Sequence, residues 1–417
     1  MIGFNAVQAC RHWRAAGMIM RKLRRLVVVS HVAHHRCDGR LYAYGPYARE
    51  IDIWADLFPE VVVAAPCRQQ EPPGDCVAFM RENISIRPQL QTGGTTVGSR
   101  LVQVLLLPLH FWNLSRAMAR ADAIHVRCPG NLGLIGVALA PLFSRFLVAK
   151  YAGQWNGYAG EPFSVRLQRS LLRSRWWRGP VTVYGQWPNQ PAHVVPFFTS
   201  VLTEQQMQRA RRSAAAGRVV DRLRIVFVGR LSKAKNVDTL LSALGLLKQA
   251  GVSFECTIIG EGPERRTLEE QSSDCGLASS VTFAGGLPFE KVLQHYEAAN
   301  VLVLVSETEG WPKAITEAMA FGLVCIGSNR GLLPQILGEG RGLLAEPGDA
   351  KALSDALRWI AANAQESALM SKVAAKWAQQ FFLEGLRQAL KELLERHWGC
   401  VLASPSTLRA NSAAVVV

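Results

Sequence analysis

Val301-Leu302-Val303-Leu304-Val305-Ser306-Glu307-Thr308-Glu309-Gly310-Trp311-Pro312-Lys313-Ala314-Ile315-Thr316-Glu317-Ala318-Met319-Ala320-Phe321-Gly322 decides the fold of this chain. Its first five residues form an apolar run with the length and β-branched content of a strand buried on both faces. A loop follows as far as Trp311. Pro312 then stands at the first position of a helix, where its missing N–H costs nothing, and Gly322 stands just past the end. Val324-Cys325-Ile326-Gly327 resumes the apolar run, which completes a strand, loop, helix, strand unit. In such units the loop at the strand's carboxyl end opens on a ligand crevice. The helix N-terminus, here Gly310, Trp311, Pro312 and Lys313, offers free N–H groups and positive dipole to an anion. Glu309 falls in that crevice, and Glu317, two turns on, shares a helix face with Lys313. A carboxylate, a lysine and a helix N-terminus suit a ligand carrying both hydroxyls and phosphate. A buried strand and an ordinary amphipathic helix with one solvated Glu would give the same local pattern, so the rest of the chain must decide.

At 417 residues the chain exceeds the size at which one core stops growing, and two domains are expected. Its 49% hydrophobic content is that of a globular protein. Nine cysteines, none in a CxxC pair, argue for a reducing compartment and against a disulfide framework or structural zinc. Charge is unevenly divided: residues 1–220 carry a formal +16 and the remainder −1. Such a field favours an anionic partner, whether nucleic acid, an anionic membrane surface or a phosphorylated acceptor. No RNA-recognition, zinc-finger or helix-turn-helix signature supports nucleic acid. No apolar run is long enough to span a bilayer uninterrupted, and residues 1–19 lack a signal-peptide core and cleavage site.

The alternation of elements predicts two doubly wound α/β domains. In the first, strands at 26–30, 61–65, 83–87, 123–127 and 146–151 alternate with helices at 46–58 and 101–121. Loops are expected at 31–45, which contains Asp38-Gly39, and at 91–98. His31, His34 and His35 lack a carboxylate or cysteine at ligand spacing, so a cleft-lining loop fits them better than a metal site. The stretch 163–179 opens at Phe163 and closes at Gly179. It interleaves Val165, Leu167, Leu171, Leu172, Trp176 and Trp177 with Arg166, Arg169, Arg173, Arg175 and Arg178. That pattern predicts a helix lying on anionic lipid; the competing reading is a surface helix packed on its own domain. The expected organisation is an extension at 1–19, a first domain at 20–203, a linker at 204–222, a second domain at 223–385, a C-terminal helix at 386–402 and a tail at 403–417.

Three loops of the second domain converge at strand carboxyl ends. The first, Gly229-Arg230-Leu231-Ser232-Lys233-Ala234-Lys235-Asn236, gathers cations able to hold a diphosphate and stabilise it as a leaving group without a metal. The second, Gly260-Glu261-Gly262-Pro263, lets a backbone approach a ligand closely. Arg265 stands where a dinucleotide fingerprint needs its third glycine, so nicotinamide is poorly supported. The third is the Glu309 loop.

These motifs together resemble glycosyltransferase family 4, retaining enzymes of the GT-B fold. The likeness rests on Val228-Gly229-Arg230-Leu231 with Lys235, on Ile259-Gly260-Glu261-Gly262-Pro263, and on Glu309 and Glu317 matching an E-x7-E motif. Gly322, Gly331, Gly342-Leu343-Leu344 and Pro347-Gly348-Asp349 extend it. It is close over residues 223–360 and architectural elsewhere. The resemblance implies two Rossmann-like domains facing across a cleft, with C-terminal helices returning to the first. Arg230 and Lys235 would bind the donor diphosphate, Glu309 the transferred sugar and Glu317 the ribose. Glu261, Gly262 and Pro263 would border the nucleoside, and Gly331 and Leu332 would offer backbone amides.

The sequence departs from the family pattern in several places. Asn236 replaces a usual Gly, Leu332 a second Gly and Gln335 a frequent Glu. Ala152-Gly153 stands where many members carry a histidine, and the first-domain glycine pair is reduced to Asp38-Gly39. On the acceptor side Gly39, His125, Arg127 and Gln154 are the substitutes. The expected function is a cofactor-free, metal-independent, cytoplasmic and peripheral transferase. It would move a sugar from a nucleotide-diphosphate sugar to a polyprenyl-linked saccharide or other glycan in surface polysaccharide assembly. A donor-binding partner without transfer activity, or another GT-B enzyme such as a sugar-nucleotide epimerase, is the alternative.

Overall fold

The computed structural model describes residues 23–91, 105–158, 160–217 and 222–402. The expected N-terminal extension, nearly all of the loop at 91–98, the start of the helix at 101–121 and the C-terminal tail lie outside them. The chain forms two units, residues 1–197 with 383–417, and residues 198–382.

The first unit is built on a sheet whose central strands are β1 (Arg25–Val29), β4 (Glu60–Arg68), β6 (Ile84–Gln89), β7 (Ala123–Cys128), β8 (Phe146–Tyr151), β9 (Val181–Tyr184) and β10 (Val194–Phe197). The order β10-β9-β8-β7-β1-β4 is parallel throughout, and β6 pairs with β4. Val27, Val29, Ile124, Val126, Leu147 and Ala149 are fully buried, as strands covered on both faces require. The segment expected as a loop at 31–45 is instead a hairpin of β2 (His34–Cys37) and β3 (Arg40–Tyr44). Its two-residue turn is Asp38-Gly39, with φ of 48° and 73°. Positive φ at both positions matches the strands' twist, and Gly adopts it without cost. β2 continues the sheet by pairing with the last residues of β4, and β5 (Cys76–Ala78) pairs antiparallel with β3.

The helix Leu383–Trp398 belongs to this first unit. Leu386, Leu390, Leu393 and Leu394 are buried on one face. Trp398 donates from its indole to Leu147 O at 3.1 Å, and its ring meets those of Phe58 and Phe146.

The second unit carries six parallel strands in the order β13-β12-β11-β14-β15-β16. These are β11 (Leu223–Val228), β12 (Phe254–Ile259), β13 (Val281–Gly285), β14 (Val301–Leu304), β15 (Val324–Ser328) and β16 (Leu343–Ala345). Chain order runs outward on both sides of β11, so the topological switch point lies between β11 and β14, where such sheets bind ligands at their carboxyl ends. The segment expected as a linker at 204–222 holds the helix Glu204–Ala215, opened by a reciprocal capping box of Thr203 and Gln206. It is tied to this unit by Arg209, which pairs with Glu290 and Glu297.

Candidate active site

At the switch point the loops after β11 and β14 are laced together. Glu307 N donates to Ala234 O at 2.9 Å, and Asn236 Nδ2 donates to Val305 O and Glu307 Oε1, both at 3.0 Å. Asn236 is left-handed, with φ 50°. Asn tolerates that conformation, and its amide ties the second loop. Lys235 Nζ donates to Glu309 Oε1. This ion pair is largely sheltered, its side chains 24% and 11% exposed. Arg230 is exposed and makes no ion pair among the described residues. The two expected cations and the carboxylate are thus gathered on two adjoining loops of one sheet.

Gly260 and Gly262 stand close against the neighbouring loop. A Cβ on Gly260 would lie 1.9 Å from Gly229 O, and one on Gly262 2.0 Å from Leu231 O. The backbone they admit is therefore the chain's own loop after β11. Leu231 N donates to Glu261 O at 2.9 Å, and Glu264 N to Leu231 O at 3.1 Å. Glu261 pairs with Arg265 and accepts from Gly286 N at 3.3 Å, while Pro263 is exposed.

Behind the Glu309 loop, Trp311 is buried. Its ring stacks on Trp377 at 6.4 Å and meets Phe381 edge-on at 5.3 Å, and its indole donates to Thr316 Oγ1 at 3.2 Å. Its side chain therefore braces the loop and is not free to meet a ligand. Pro312 is buried too; Gly310 and Lys313 are half-buried. Glu317 is buried and accepts from Tyr296 Oη at 3.0 Å. Burial and the adjacent Glu317 raise the Tyr296 phenol well above its ordinary range, so it stays a donor. Gly331 is left-handed at φ 58°, and the Leu332 side chain is buried.

The acceptor-side expectations fare differently. His125 has no exposed surface and stacks on Trp54 at 4.4 Å; burial lowers its pKa to about 3. It is a neutral core residue and not a ligand contact. Arg127 and Lys150, register partners on β7 and β8, both reach Glu50 of the helix Gly45–Ala55, at 3.2 and 2.8 Å. Burial alone would raise the Glu50 pKa, but the two cations bring it well below the carboxylate range. Gly39 sits in the hairpin turn, and Gln154 follows β8, half-buried. His34, held between Tyr47 and Phe79, donates from Nδ1 to Val32 O at 2.9 Å, and no cluster of metal-ligating side chains occurs among the described residues. Glu50 and Lys150 went unnoticed in the sequence; the signal was a lysine inside an otherwise apolar strand, which demands a carboxylate.

The stretch 163–179 is helical only over Phe163–Arg173, and that helix packs on its own unit. Leu172 and Trp177 are core residues, and Arg169 pairs with Glu161 in near-complete burial, 12% and 4% exposed. The competing reading of a surface helix thus holds for its inner face. No helix of the described residues is long and apolar enough to cross a membrane.

A parallel sheet with strand order 3-2-1-4-5-6 and a switch point at its centre makes this a doubly wound α/β unit of the Rossmann type. Residues 208–377, which fall within this unit, match the family described as Glycosyl transferases group 1. The amylovoran biosynthesis glycosyltransferase AmsK of Erwinia amylovora is 34% identical over 182 residues, covering 42% of this chain and 45% of its own. A D-inositol 3-phosphate glycosyltransferase of Corynebacterium urealyticum is 30% identical, covering 46% of each. The chain thus spans a little under half the length of the curated relatives it matches. Among solved structures, sucrose-phosphate synthase of Thermosynechococcus elongatus aligns with TM-score 0.67 at 20% identity, over 90% of this chain and 99% of its own. Anabaena HepE in complex with UDP aligns at 0.66 and 17%, over 90% and 100%. The fold is the GT-B fold.

Proposed function

We propose that the protein is a retaining glycosyltransferase that takes a sugar from a nucleotide-diphosphate sugar and places it on a lipid-linked saccharide in surface-glycan assembly. The observation that carries this is the Lys235–Glu309 pair at the switch point, with the exposed Arg230 on the same loop. The glycosyltransferases among the matched relatives, and a fold neighbour solved with UDP, support a nucleotide-sugar donor. In this reading the donor diphosphate draws Lys235 and Arg230 to its oxygens, which frees Glu309 to face the sugar. As the bond from the anomeric carbon to the diphosphate breaks, the leaving oxygens keep the electron pair, and the two cations stabilise that charge without a metal. The acceptor hydroxyl attacks from the same side and gives its proton to the departing diphosphate. Glu317, oriented by Tyr296, would hold the ribose. The basic first unit would favour an acceptor presented at an anionic, cytoplasm-facing membrane surface.

The test is a panel of nucleotide sugars with membrane lipid extract, following nucleoside diphosphate release and lipid-linked product. Lys235→Ala should raise the donor KM, and Glu309→Gln should keep donor binding while lowering kcat by about a hundredfold or more. Transfer unchanged in both variants would overturn the assignment. A second reading, a donor-binding partner without transfer, is favoured by Ala152-Gly153 where many members carry histidine; donor binding with no turnover on a native acceptor would select it.

A further inference from the structure

The helix Leu107–Met118 is apolar on the wrong side as well as the right one. His110, Leu114, Ala117 and Met118 face inward and are buried. The opposite face presents Leu105 at 71%, Leu109 at 43% and Trp112 at 60% exposure, with Leu107 and Phe111 beside them. Positions 105, 109, 112 and 116 fall on one stripe at helical spacing. Residues 105–121 contain no Asp or Glu, and their two arginines, Arg116 and Arg120, are exposed. Arg116 lies over the Trp112 ring at 6.0 Å. The apolar surface continues onto the neighbouring helix. Ser144 Oγ donates to Asp122 O at 2.7 Å, which brings the end of the helix Asn131–Phe143 beside the end of Leu107–Met118. Leu142 there is 66% exposed and is followed by the exposed Arg145. On the other flank of that helix, half-exposed Trp176 donates from its indole to Val137 O at 3.1 Å.

We propose that this face, centred on Leu109, Trp112 and Leu142, docks the protein on an anionic phospholipid bilayer. Leucines would enter the acyl boundary, Trp112 would sit at the headgroup level, and Arg116, Arg120 and Arg145 would meet lipid phosphates. The charge selects this occupant. A second copy would bring the same basic face against itself, and like charge across an interface repels. Isolated exposed leucines are common, but a contiguous stripe with no acid within it calls for a partner. The proposal rests on the membrane-linked acceptor reading only for its choice of a bilayer. It places the principal contact on a different helix from Phe163–Arg173, where Leu172 is core and Val165 and Leu171 pack on their own unit while Phe163 and Leu167 stay exposed.

The full chain is sedimented with vesicles of phosphatidylglycerol in phosphatidylcholine, without donor or acceptor, so the result does not depend on catalysis. Wild type should co-sediment, and Leu109→Glu/Trp112→Glu should bind at least about tenfold more weakly, ~1.4 kcal/mol. Both side chains face solvent, so thermal unfolding should be unchanged. Leu142→Glu, on a separate helix, should weaken binding in the same direction and stands in if the double variant fails to fold. Undiminished binding in these variants overturns the proposal. So does loss confined to Arg166→Glu/Arg173→Glu, which would shift docking to the neighbouring helix. A wild type that ignores vesicles, yet forms a dimer that Trp112→Glu splits, would make the face a subunit interface instead. If no nucleotide sugar is turned over but vesicle binding follows this pattern, the docking surface stands and the transferase reading falls.

Discussion

Adding one methyl group at Gly262 would push the loop after β12 away from the loop after β11, which carries Arg230 and Lys235 of the candidate diphosphate site. The new carbon would lie 2.0 Å from Leu231 O, 2.6 Å from its carbonyl carbon and 2.7 Å from its nitrogen. Even a close carbon–oxygen contact needs about 3.3 Å, so the loops must part by more than about 1 Å. That breaks the hydrogen bonds from Leu231 N to Glu261 O and from Glu264 N to Leu231 O. At about 1 kcal/mol each, with some residual strain, Gly262→Ala should cost about 2–4 kcal/mol. For a unit of this size the corresponding fall in Tm is roughly 4–16 °C. The same displacement moves Arg230 relative to Glu309, and misplacement of about 1 Å can cost on the order of a hundredfold in rate. Thermal unfolding by circular dichroism and donor kcat/KM together form the assay. Gly286→Ala is the control: its added carbon meets only Glu261 Cγ at 3.5 Å, an ordinary contact, and it should melt like wild type. If Gly262→Ala also melts within a degree of wild type, the loop-contact reasoning is wrong.

Stability should rise with pH between about 4.5 and 6.5. Burial holds His125 at about 3 and His34 at about 4, so both rings take up protons only on unfolding as pH falls below about 6.5. Asp52, raised by burial to about 6, opposes one of them below that pH. His125→Phe keeps the ring on Trp54 and should flatten the slope by ~1.4 kcal/mol per pH unit in urea titrations; an unchanged slope would show that the ring is not held neutral. Asn236→Gly keeps the left-handed backbone but loses two hydrogen bonds, so it should be about 1–2 kcal/mol less stable than wild type, with Asn236→Ala lower still; a Gly variant as stable as wild type would refute the amide's role. Arg169→Met strands the buried Glu161 carboxylate and should cost about 3–5 kcal/mol, whereas Arg166→Met, at an exposed position, should melt like wild type.

The second unit was the legible part of the sequence. Val301–Leu304 and Val324–Ser328 lie wholly in the core, and such strands announce themselves as apolar runs. Arg230, Lys235 and Glu309 could be picked out because the ends of such strands are where charge is tolerated. What escaped were pairings between distant residues. The hairpin His34–Tyr44 read as a loop because its polar side chains hide the alternation, although Asp38-Gly39 was the turn signal within it. Glu50 and Lys150 are a hundred residues apart in sequence, and only the register of β7 with β8 brings Arg127 to the same carboxylate. The arginine-rich helix Phe163–Arg173 shows the limit of amphipathicity. Period gives the apolar face, but whether that face meets lipid or its own core depends on what folds beneath it, here Leu172 and Trp177.

The helix Leu383–Trp398 has a consequence for the order in which the molecule can be made. The sheet it seals begins at Arg25, yet Leu386, Leu390 and Trp398 leave the ribosome only after the whole of residues 198–382. At ~5–20 residues per second that interval is roughly ten to forty seconds. Through it the nascent first unit lacks the side chains that cover Phe58 and Phe146. The second unit, continuous in sequence, can reach its native state while the first is still waiting. The first unit to be translated is therefore the last to finish folding, and its exposed apolar strip is where a chaperone would find the growing chain.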